Sequence, residues 1–289
     1  MGRGTRGINR QGRAIGYEER MMASSHLQRW LTSLVALPIL LYVLLQGSVL
    51  SFTVLLALVS TAAHWEFLAL SGLGRTVGEK VLGLGTGLAL LLSFSTGRPA
   101  APVLFLFLGM LAHFAFYLWW YEEHPDLLPA LACSCLGLFY VPFLLGHFFW
   151  VWQEPQGRFW VLWLLLVIFA GDTGAFYSGR WFGQTKLYPQ VSPGKTVAGA
   201  VGGLLASLAV GIGAGLALSL QVSFLGLVVL ALLAAVIGQL GDLFESMLKR
   251  RAQVKDASTL LPGHGGFLDR LDSICFTVAL LFYARHFFS

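Results

Sequence analysis

Residues 222–244 read VSFLGLVVLALLAAVIGQLGDLF, and residues 246–272, which follow almost directly, read SMLKRRAQVKDASTLLPGHGGFLDRLD. The first stretch is apolar over a length that crosses a bilayer as a helix. The second holds five cations, three aspartates, a histidine and a Gly-Gly pair, and another apolar run follows it. Because only 11% of the chain is charged, this concentration of charge beside a membrane indicates a functional loop.

The apolar character of residues 222–244 recurs along the whole chain. Hydrophobic residues make up 56% of the sequence, and the mean hydropathy is +0.73. These values exclude a soluble globular protein. We predict an all-α, polytopic integral membrane protein with about nine transmembrane helices. The predicted spans are residues 30–47, 50–70, 79–95, 101–120, 128–150, 159–178, 196–219, 222–244 and 272–288.

The positions of Lys and Arg predict the orientation, because cations in short loops are retained on the cytoplasmic side of a membrane. With nine spans and a cytoplasmic N-terminus, only Arg98, Arg158 and Arg285 of the 19 basic residues fall on the outer side. The reverse orientation would invert this bias. We therefore expect the charged loops near 179–195 and 246–271 to face the cytoplasm.

The N-terminal segment differs from the rest of the chain. Its first 20 residues are basic, glycine-rich and poor in apolar side chains, so they cannot bury enough surface to fold alone. We interpret residues 1–28 as a disordered cytoplasmic tail. The alternative is that translation starts at Met21 or Met22 and that the tail is an error in the assigned start of the gene. The apolar run from Trp30 has no A-x-A-like cleavage site after it, which favours a retained first span. The transmembrane domain then covers residues 29–289.

Acidic side chains near the predicted cytoplasmic ends of the spans are the first candidates for a functional site. A charge inside a span costs about 2.5 to 3.5 kcal/mol on insertion scales, so such groups are candidates for a functional role by default. Asp172, Asp242, Asp269 and Asp272 lie on three predicted helices. They would form an oxygen-rich site for Mg²⁺, with a second cation such as K⁺ as a further candidate. The alternative is that each aspartate caps a helix or pairs with Lys or Arg at the interface.

Helical spacing adds neighbours to this acidic group. Glu245, Ser246 and Lys249 follow Asp242 by three, four and seven residues, so a carboxylate, a hydroxyl and an ammonium share its face of the helix. Glu66, in AAHWEFLAL, is a further acidic residue near a cytoplasmic end. It could line the same cavity, but we favour a structural hydrogen bond to a neighbouring helix.

The loop after Asp172 offers groups for binding phosphate. Residues 178–196 read SGRWFGQTKLYPQVSPGKT. This is not a Walker A motif, because Pro189 occupies the position of its first glycine and no strand precedes it. We predict a Ser-Pro-Gly turn at residues 192–194. The turn would present Lys195 and Thr196 at the start of the seventh span, where a helix N-terminus favours an anion.

The longer charged loop offers a second phosphate-binding element. Its Gly265 and Gly266 would let backbone N–H groups approach phosphate oxygens, and His264 could donate to them. The positive-inside bias by itself would explain the cations, and for Arg251 we accept that explanation. It does not explain the Gly-His-Gly-Gly run or the aspartates behind it.

The spacing of the charged loop resembles the signature of a known family. The run Ser246-x-x-Lys249-Arg250-x(4)-Lys255-Asp256-x(5)-Pro262-x-His264-Gly265-Gly266-x-x-Asp269-Arg270-x-Asp272 is similar to that of CDP-diacylglycerol synthases, also called phosphatidate cytidylyltransferases. The similarity extends to GDTGAFYSGRWFG, VSPGKT, Arg29 and Pro38, and so covers most of the chain from about residue 29. Where the family usually has Glu or Gln after the Lys-Thr-x element, this chain has Ala198, which puts one contact near the substrate cavity in doubt.

The resemblance implies the reaction of CTP with phosphatidate to give CDP-diacylglycerol and pyrophosphate. The nucleophile is a phosphate monoester that is already ionised near neutral pH, so charge neutralisation and in-line positioning are the main tasks. The implied partners are CTP, phosphatidate and membrane lipids, without nucleic acid, and a homodimer is the frequent state of the family. We expect the protein in a bacterial inner (plasma) membrane.

Individual residues of the charged loops and helix ends have predicted roles. The predicted catalytic residues are Asp242, Lys249, Asp269 and Asp272. The predicted metal ligands are Asp172, Asp242, Asp269 and Asp272. The predicted substrate-binding residues are Ser192, Lys195, Thr196, Ser246, Arg250, Lys255, Asp256, His264, Gly265, Gly266 and Arg270.

Two other functions remain open on the sequence. A CTP-dependent lipid kinase of the polyprenol or phytol type also joins CTP to an apolar acceptor, but its products would be a phospholipid and CDP. An ion-coupled transporter would use the buried aspartates to carry ions. Against a transporter, the carboxylates gather near one face of the membrane, and no repeated half is visible in the sequence. The CDP-alcohol phosphotransferases are disfavoured, because their D-G-x-x-A-R opening is absent.

Overall fold

The computed structural model describes residues 34–73, 76–123, 127–261 and 265–288. The tail expected over residues 1–28, together with Arg29 and His264, lies outside these residues. The helices are α1 (Leu34–Gln46), α2 (Val49–Leu70), α3 (Val77–Ser93), α4 (Ala100–Trp119), α5 (Leu127–Leu138), α6 (Leu144–Gln153), α7 (Gly157–Phe182), α8 (Val197–Ala217), α9 (Phe224–Arg251) and α10 (Leu268–Arg285). Two strands, β1 (Lys186–Tyr188) and β2 (Ser192–Thr196), lie between α7 and α8.

Seven helical segments of the described chain are long and apolar enough to cross a membrane. One of them is the continuous segment Leu127–Gln153, in which a π-helical turn, Phe139–Phe143, joins α5 to α6. The described part of α1 is shorter, and α10 carries Asp269, Arg270, Asp272 and Arg285. The prediction of an all-helical, polytopic integral membrane protein is confirmed.

Several helices begin at residues that bind the first free backbone N–H groups. Thr76 and Glu79 form a capping box at the start of α3, and Ser223 accepts a hydrogen bond from Gly226 N (3.1 Å) at the start of α9. Thr196 does the same for α8 by accepting from Gly199 N (3.0 Å). Each such cap stabilises a helix by about 1 kcal/mol.

The π-helical turn connects the N-terminal helices to the last two. Pro142 lies within this turn and has no backbone N–H to donate, which suits a break in the regular hydrogen-bond ladder. The turn buries Tyr140 completely, with its ring 4.9 Å from that of Phe244 on α9 and 5.4 Å from that of Phe276 on α10. These contacts pack the charged ends of α9 and α10 against the apolar bundle of α2–α6.

Helices α7 and α8 approach very closely, because glycines face each other between them. A Cβ at Gly174 would lie 2.8 Å from the carbonyl oxygen of Gly202, and one at Gly203 would lie 2.9 Å from that of Gly171. Backbones can come this near only where side chains are small. The close packing fixes α8, and with it the end of the hairpin, against the helix that carries Asp172.

Two helices depart from the predicted boundaries in a way that matters for the site. The sequence places the eighth span at residues 222–244, whereas α9 continues to Arg251. The ninth span was expected from residue 272, whereas α10 begins at Leu268. The early start of α10 is possible because the carboxylate of Glu66, on α2, accepts hydrogen bonds from the backbone N–H groups of Phe267 and Leu268. Asp269 consequently lies in the first turn of a helix.

Candidate active site

A cavity of about 690 Å³ lies among α7, α8, α9, α10 and the hairpin. Charged side chains of both signs line it: Asp172, Arg180, Lys195, Asp242, Lys249, Asp256, Asp269, Arg270 and Asp272. Apolar residues, including Ile168, Phe176 and Ala235, complete its wall. A cavity with charged and apolar parts suits a ligand that has an ionic end and an apolar end.

The four predicted metal-binding aspartates all face this cavity. Asp172 comes from α7, Asp242 from α9, and Asp269 and Asp272 from α10. The carboxylates of Asp172, Asp242 and Asp272 are close enough to interact electrostatically. Even so, nowhere in the described chain do three His, Cys, Asp or Glu side chains form a ready-made metal-binding group. The convergence of the aspartates is therefore present, but the ligand shell of a metal is not preformed.

The segment predicted to hold a Ser-Pro-Gly turn instead forms a β-hairpin. Strands β1 and β2 pair antiparallel, with Lys186 opposite Thr196 and Tyr188 opposite Ser192. This pairing places the chain reversal at residues 189–191, where Pro189 supplies a backbone angle suited to a turn. The turn prediction for residues 192–194 is wrong, because these residues belong to β2.

Strand β2 delivers Lys195 into the cavity. Lys195 Nζ lies 2.7 Å from Asp242 Oδ2, so the two side chains form an ion pair. An ammonium has three N–H groups. Lys195 can therefore also donate to an anionic ligand in the cavity. Thr196 also borders the cavity, but its hydroxyl oxygen accepts from Gly199 N and caps α8.

Lys249 is held between two carboxylates. Its Nζ donates to Glu245 Oε2 at 2.6 Å and to Asp269 Oδ1 at 2.7 Å. Glu245 is completely buried. The sequence placed Glu245 and Lys249 on one face through their four-residue spacing, but it did not assign Glu245 a role in the site. The structure shows that Glu245 fixes the direction of the Lys249 ammonium.

Asp269 binds the loop that precedes its own helix. Its Oδ2 accepts hydrogen bonds from Ala257 N at 2.9 Å and from Gly266 N at 2.7 Å. With Lys249 on Oδ1, this carboxylate has three donors from the protein. Asp269 is therefore held by more donors of the chain than Asp242, which contacts Lys195 and Ser246, or Asp272, which accepts from Ser273 N.

The Gly-Gly pair allows the loop to wrap around two carboxylates. Gly265 has a φ of +78°, in the left-handed region that favours glycine. A Cβ at Gly265 would lie 2.7 Å from Asp269 Oδ2, and one at Gly266 would lie 2.5 Å from Glu66 Oε2. The N–H of Gly266 donates to Asp269 rather than pointing towards the cavity as the sequence led us to expect.

Glu66 has the structural role that we favoured. Its Oε1 accepts from Ser258 Oγ at 2.5 Å and from Phe267 N at 3.0 Å, and its Oε2 accepts from Leu268 N at 2.7 Å. The side chain is buried, with 1% of its surface exposed. A carboxylate at this position also interacts favourably with the dipole of α10.

The remaining predicted residues fall into two groups. Asp256 and Arg270 border the cavity from exposed positions. Ser192, Ser246, Arg250 and Lys255 lie outside the cavity lining, as do Gly265 and Gly266. Ser246 donates a long hydrogen bond (3.4 Å) to Asp242 Oδ1, and Arg250 donates to backbone carbonyl groups.

Two further positions bear on the substrate cavity. Ala198, the departure from the family pattern, lies half-buried in the first turn of α8 and outside the cavity lining. Gln239, which the sequence analysis did not single out, lines the cavity and donates to Ala200 O at 2.9 Å. Helical spacing could have identified Gln239, because it lies three residues before Asp242 on the same face of α9.

Comparison with known proteins places this chain in a family. The model of the cytidylyltransferase family matches residues 27–288. A phosphatidate cytidylyltransferase from Staphylococcus haemolyticus (strain JCSC1435) is 34% identical over 259 residues, which are 88% of this chain and 96% of the relative. One from Bacillus subtilis (strain 168) is 40% identical over 47% of this chain and 51% of the relative. One from Haemophilus influenzae (strain ATCC 51907 / DSM 11121 / KW20 / Rd) is 42% identical over 46% and 47%.

The matches differ in extent, and the chain spans about half the length of the Bacillus and Haemophilus relatives. The Staphylococcus haemolyticus alignment runs along nearly the whole of that relative. Since the family model also covers both the helices of the bundle and the charged loop, the chain belongs to the cytidylyltransferase family.

Proposed function

We propose that this protein is a phosphatidate cytidylyltransferase, which transfers CMP from CTP to phosphatidate and releases pyrophosphate. The names of the three relatives support this activity. The observation that carries it is the cavity among α7–α10, where Lys195, Lys249 and several aspartates meet an apolar wall. One ligand of this reaction is highly anionic, and the other joins a phosphate to two acyl chains.

In the proposed reaction, a phosphate oxygen of phosphatidate attacks the α-phosphorus of CTP. The bond between the α-phosphorus and the bridging oxygen to the β-phosphorus breaks, and pyrophosphate leaves with that electron pair. Lys195 would bind phosphate oxygens through N–H groups that do not face Asp242, and Lys249 would add positive charge from a fixed position. Positioning and charge neutralisation of this kind account for most catalysis of phosphoryl-type transfers.

We propose that three carboxylates of the cavity would hold a Mg²⁺ ion, although they do not form a preformed ligand shell. Asp172, Asp242 and Asp272 offer oxygen donors, and their mutual repulsion within one cavity favours a bound cation. When bound, Mg²⁺ would neutralise phosphate charge and polarise the α-phosphate of CTP. Asp269 would join this set only if Lys249 left its Oδ1. A second cation such as K⁺ would draw on the same oxygen donors.

We also propose the membrane location and the assembly. The bias of Lys and Arg supports a site that opens to the cytoplasm at a bacterial inner membrane. The acyl chains of phosphatidate would stay in the lipid beside α7, on which Phe169 is exposed and Phe176 is exposed at the cavity wall. A homodimer is the assembly that we propose, and the mass of the detergent-solubilised protein tests it.

The activity is tested by incubating purified protein with labelled CTP, phosphatidate and Mg²⁺, with and without a chelator. We expect a CDP-lipid and pyrophosphate, formed only in the absence of the chelator. A phosphorylated lipid together with CDP would instead support a lipid kinase. Ion flux into liposomes without nucleotide would support a transporter.

A further inference from the structure

Arg250 lies in the last turn of α9 and outside the cavity lining. Its Nε donates to the carbonyl oxygen of Val191 at 3.1 Å, and its Nη1 donates to that of Val254 at 3.3 Å. Val191 belongs to the turn of the hairpin, and Val254 follows the end of α9. The guanidinium thus joins the tip of the hairpin to the C-terminal end of a membrane helix.

The hairpin contacts α9 at a second point, where Lys195 meets Asp242. Asp242 and Arg250 are eight residues apart on a helix, which corresponds to about 12 Å. Val191 and Lys195 are four residues apart in nearly extended chain, which corresponds to about 13 Å. The two spacings match, so β2 runs along α9 and is held at both ends.

A hairpin of two short strands needs such support. Two-stranded sheets are at best marginally stable by themselves, and β1 contains only three residues. The base of the hairpin is fixed by Val197 N, which donates to Thr185 O at 3.0 Å, and by the cap that Thr196 provides for α8. The tip is held by the side chain of Arg250.

We propose that Arg250 is a positioning residue, which fixes the hairpin tip on α9 so that Lys195 stays beside Asp242 in the cavity. Arginine suits this role because its planar guanidinium donates in two directions at once. A lysine supplies the same charge but only a single ammonium, which cannot reproduce the fork. The proposal rests on the proposed function only for the choice of activity assay.

The test compares Arg250→Ala, Arg250→Lys and the matched control Arg251→Ala in full-length protein. Arg251 is the exposed neighbour on the same helix. Hydrogen–deuterium exchange is measured on peptides that cover residues 184–196, and kcat/KM for CTP is measured in the same preparations. We expect exchange in these peptides to rise about tenfold in Arg250→Ala, the factor for the loss of roughly one net hydrogen bond. We expect a fall in kcat/KM of about the same size.

Arg250→Lys separates positioning from charge. If Arg250 positions the hairpin, the lysine variant exchanges as fast as the alanine variant and has a similarly low kcat/KM, while Arg251→Ala matches wild type. Wild-type kinetics in Arg250→Lys, or unchanged hairpin exchange in Arg250→Ala, would overturn the proposal.

The exchange measurement also keeps this proposal apart from the proposed function. If the wild-type protein forms no CDP-lipid, the cytidylyltransferase proposal fails. The protection of residues 184–196 in the three variants still decides whether Arg250 holds the hairpin.

Discussion

Five acidic side chains near the cavity divide into two groups according to what their oxygens bind. Asp172, Asp242 and Asp272, the cavity group, interact with one another across the cavity and have room for a ligand. Glu66 and Asp269, the wall group, each accept three hydrogen bonds from the protein, mostly from backbone N–H groups of the charged loop. A carboxylate can therefore either face the ligand or hold the backbone that surrounds the cavity.

The difference follows from the structure of the loop between α9 and α10. Its described residues form only an isolated bridge between Leu261 and Gly265, so most of their backbone groups have no partner in a helix or sheet. A buried N–H without an acceptor is costly. Glu66 and Asp269 provide acceptors for Phe267, Leu268, Ala257 and Gly266. The two carboxylates thus supply the hydrogen-bond acceptors that a helix or a sheet would otherwise provide for these backbone N–H groups.

The largest effect is expected for Asp272→Asn in the cavity group. The change removes a negative charge that we propose binds Mg²⁺, so turnover with CTP and phosphatidate should fall about 10²- to 10³-fold. Thermal stability should stay close to wild type, because the carboxylate accepts a hydrogen bond from its immediate neighbour, Ser273 N, which holds no distant element in place. The initial rate and the melting temperature in detergent measure the two effects. Glu122→Gln, at an exposed residue, is the control, and near-normal turnover in Asp272→Asn would remove Asp272 from the metal site.

Asp269→Asn should reduce both activity and stability. The amide can accept only through one oxygen, so Lys249 and the loop N–H groups must compete for it. We expect turnover to fall about 10- to 100-fold, as for residues that orient a site. We also expect the melting temperature to drop by several degrees. Lost turnover with an unchanged melting temperature would move Asp269 into the cavity group.

Glu66→Gln tests the member of the wall group that lies outside the cavity lining. The variant loses one of two acceptor oxygens that bind Ser258, Phe267 and Leu268, so we expect a loss of about 1–3 kcal/mol in stability. The KM for CTP should change less than twofold, because Glu66 lies outside the cavity lining. Thermal denaturation and CTP titration measure these quantities. A large rise in KM without loss of stability would show that the two groups are not distinct.

Ser246→Ala should have the smallest effect. The hydroxyl donates to Asp242 Oδ1 over 3.4 Å, at the long limit of a hydrogen bond. Its loss should reduce kcat/KM about two- to threefold and raise the Mg²⁺ concentration for half-maximal rate by a similar factor. Titration of the rate with Mg²⁺ checks this expectation. A tenfold change would mean that Ser246 itself contacts the ligand.

Helical periodicity was sufficient to predict part of the site. Of the nine apolar runs, seven correspond to segments of the described chain that are long and apolar enough to cross a membrane. The i, i+4 spacing placed Lys249 on the face that carries Glu245. The aspartates of α7, α9 and α10 share the cavity as expected, because each lies near the charged end of its helix. These are local properties, and a sequence displays them directly.

The parts that escaped prediction depend on contacts between distant residues. Glu66 and Leu268 are 202 residues apart, and no local pattern pairs them. The hairpin was missed because Ser192, Pro193 and Gly194 are typical of turns and rare in strands. The contacts of Arg250 with two backbone carbonyl groups were not foreseen either, and its role as a substrate-binding residue stays a prediction.

Thr196 is the last residue of β2 and the cap of α8 at the same time. No residue separates the strand that carries Lys195 from the helix that packs glycine to glycine against α7. A displacement of the β2 backbone would therefore reach the first turn of α8 directly, whereas a rotation of the Lys195 side chain would leave that turn in place.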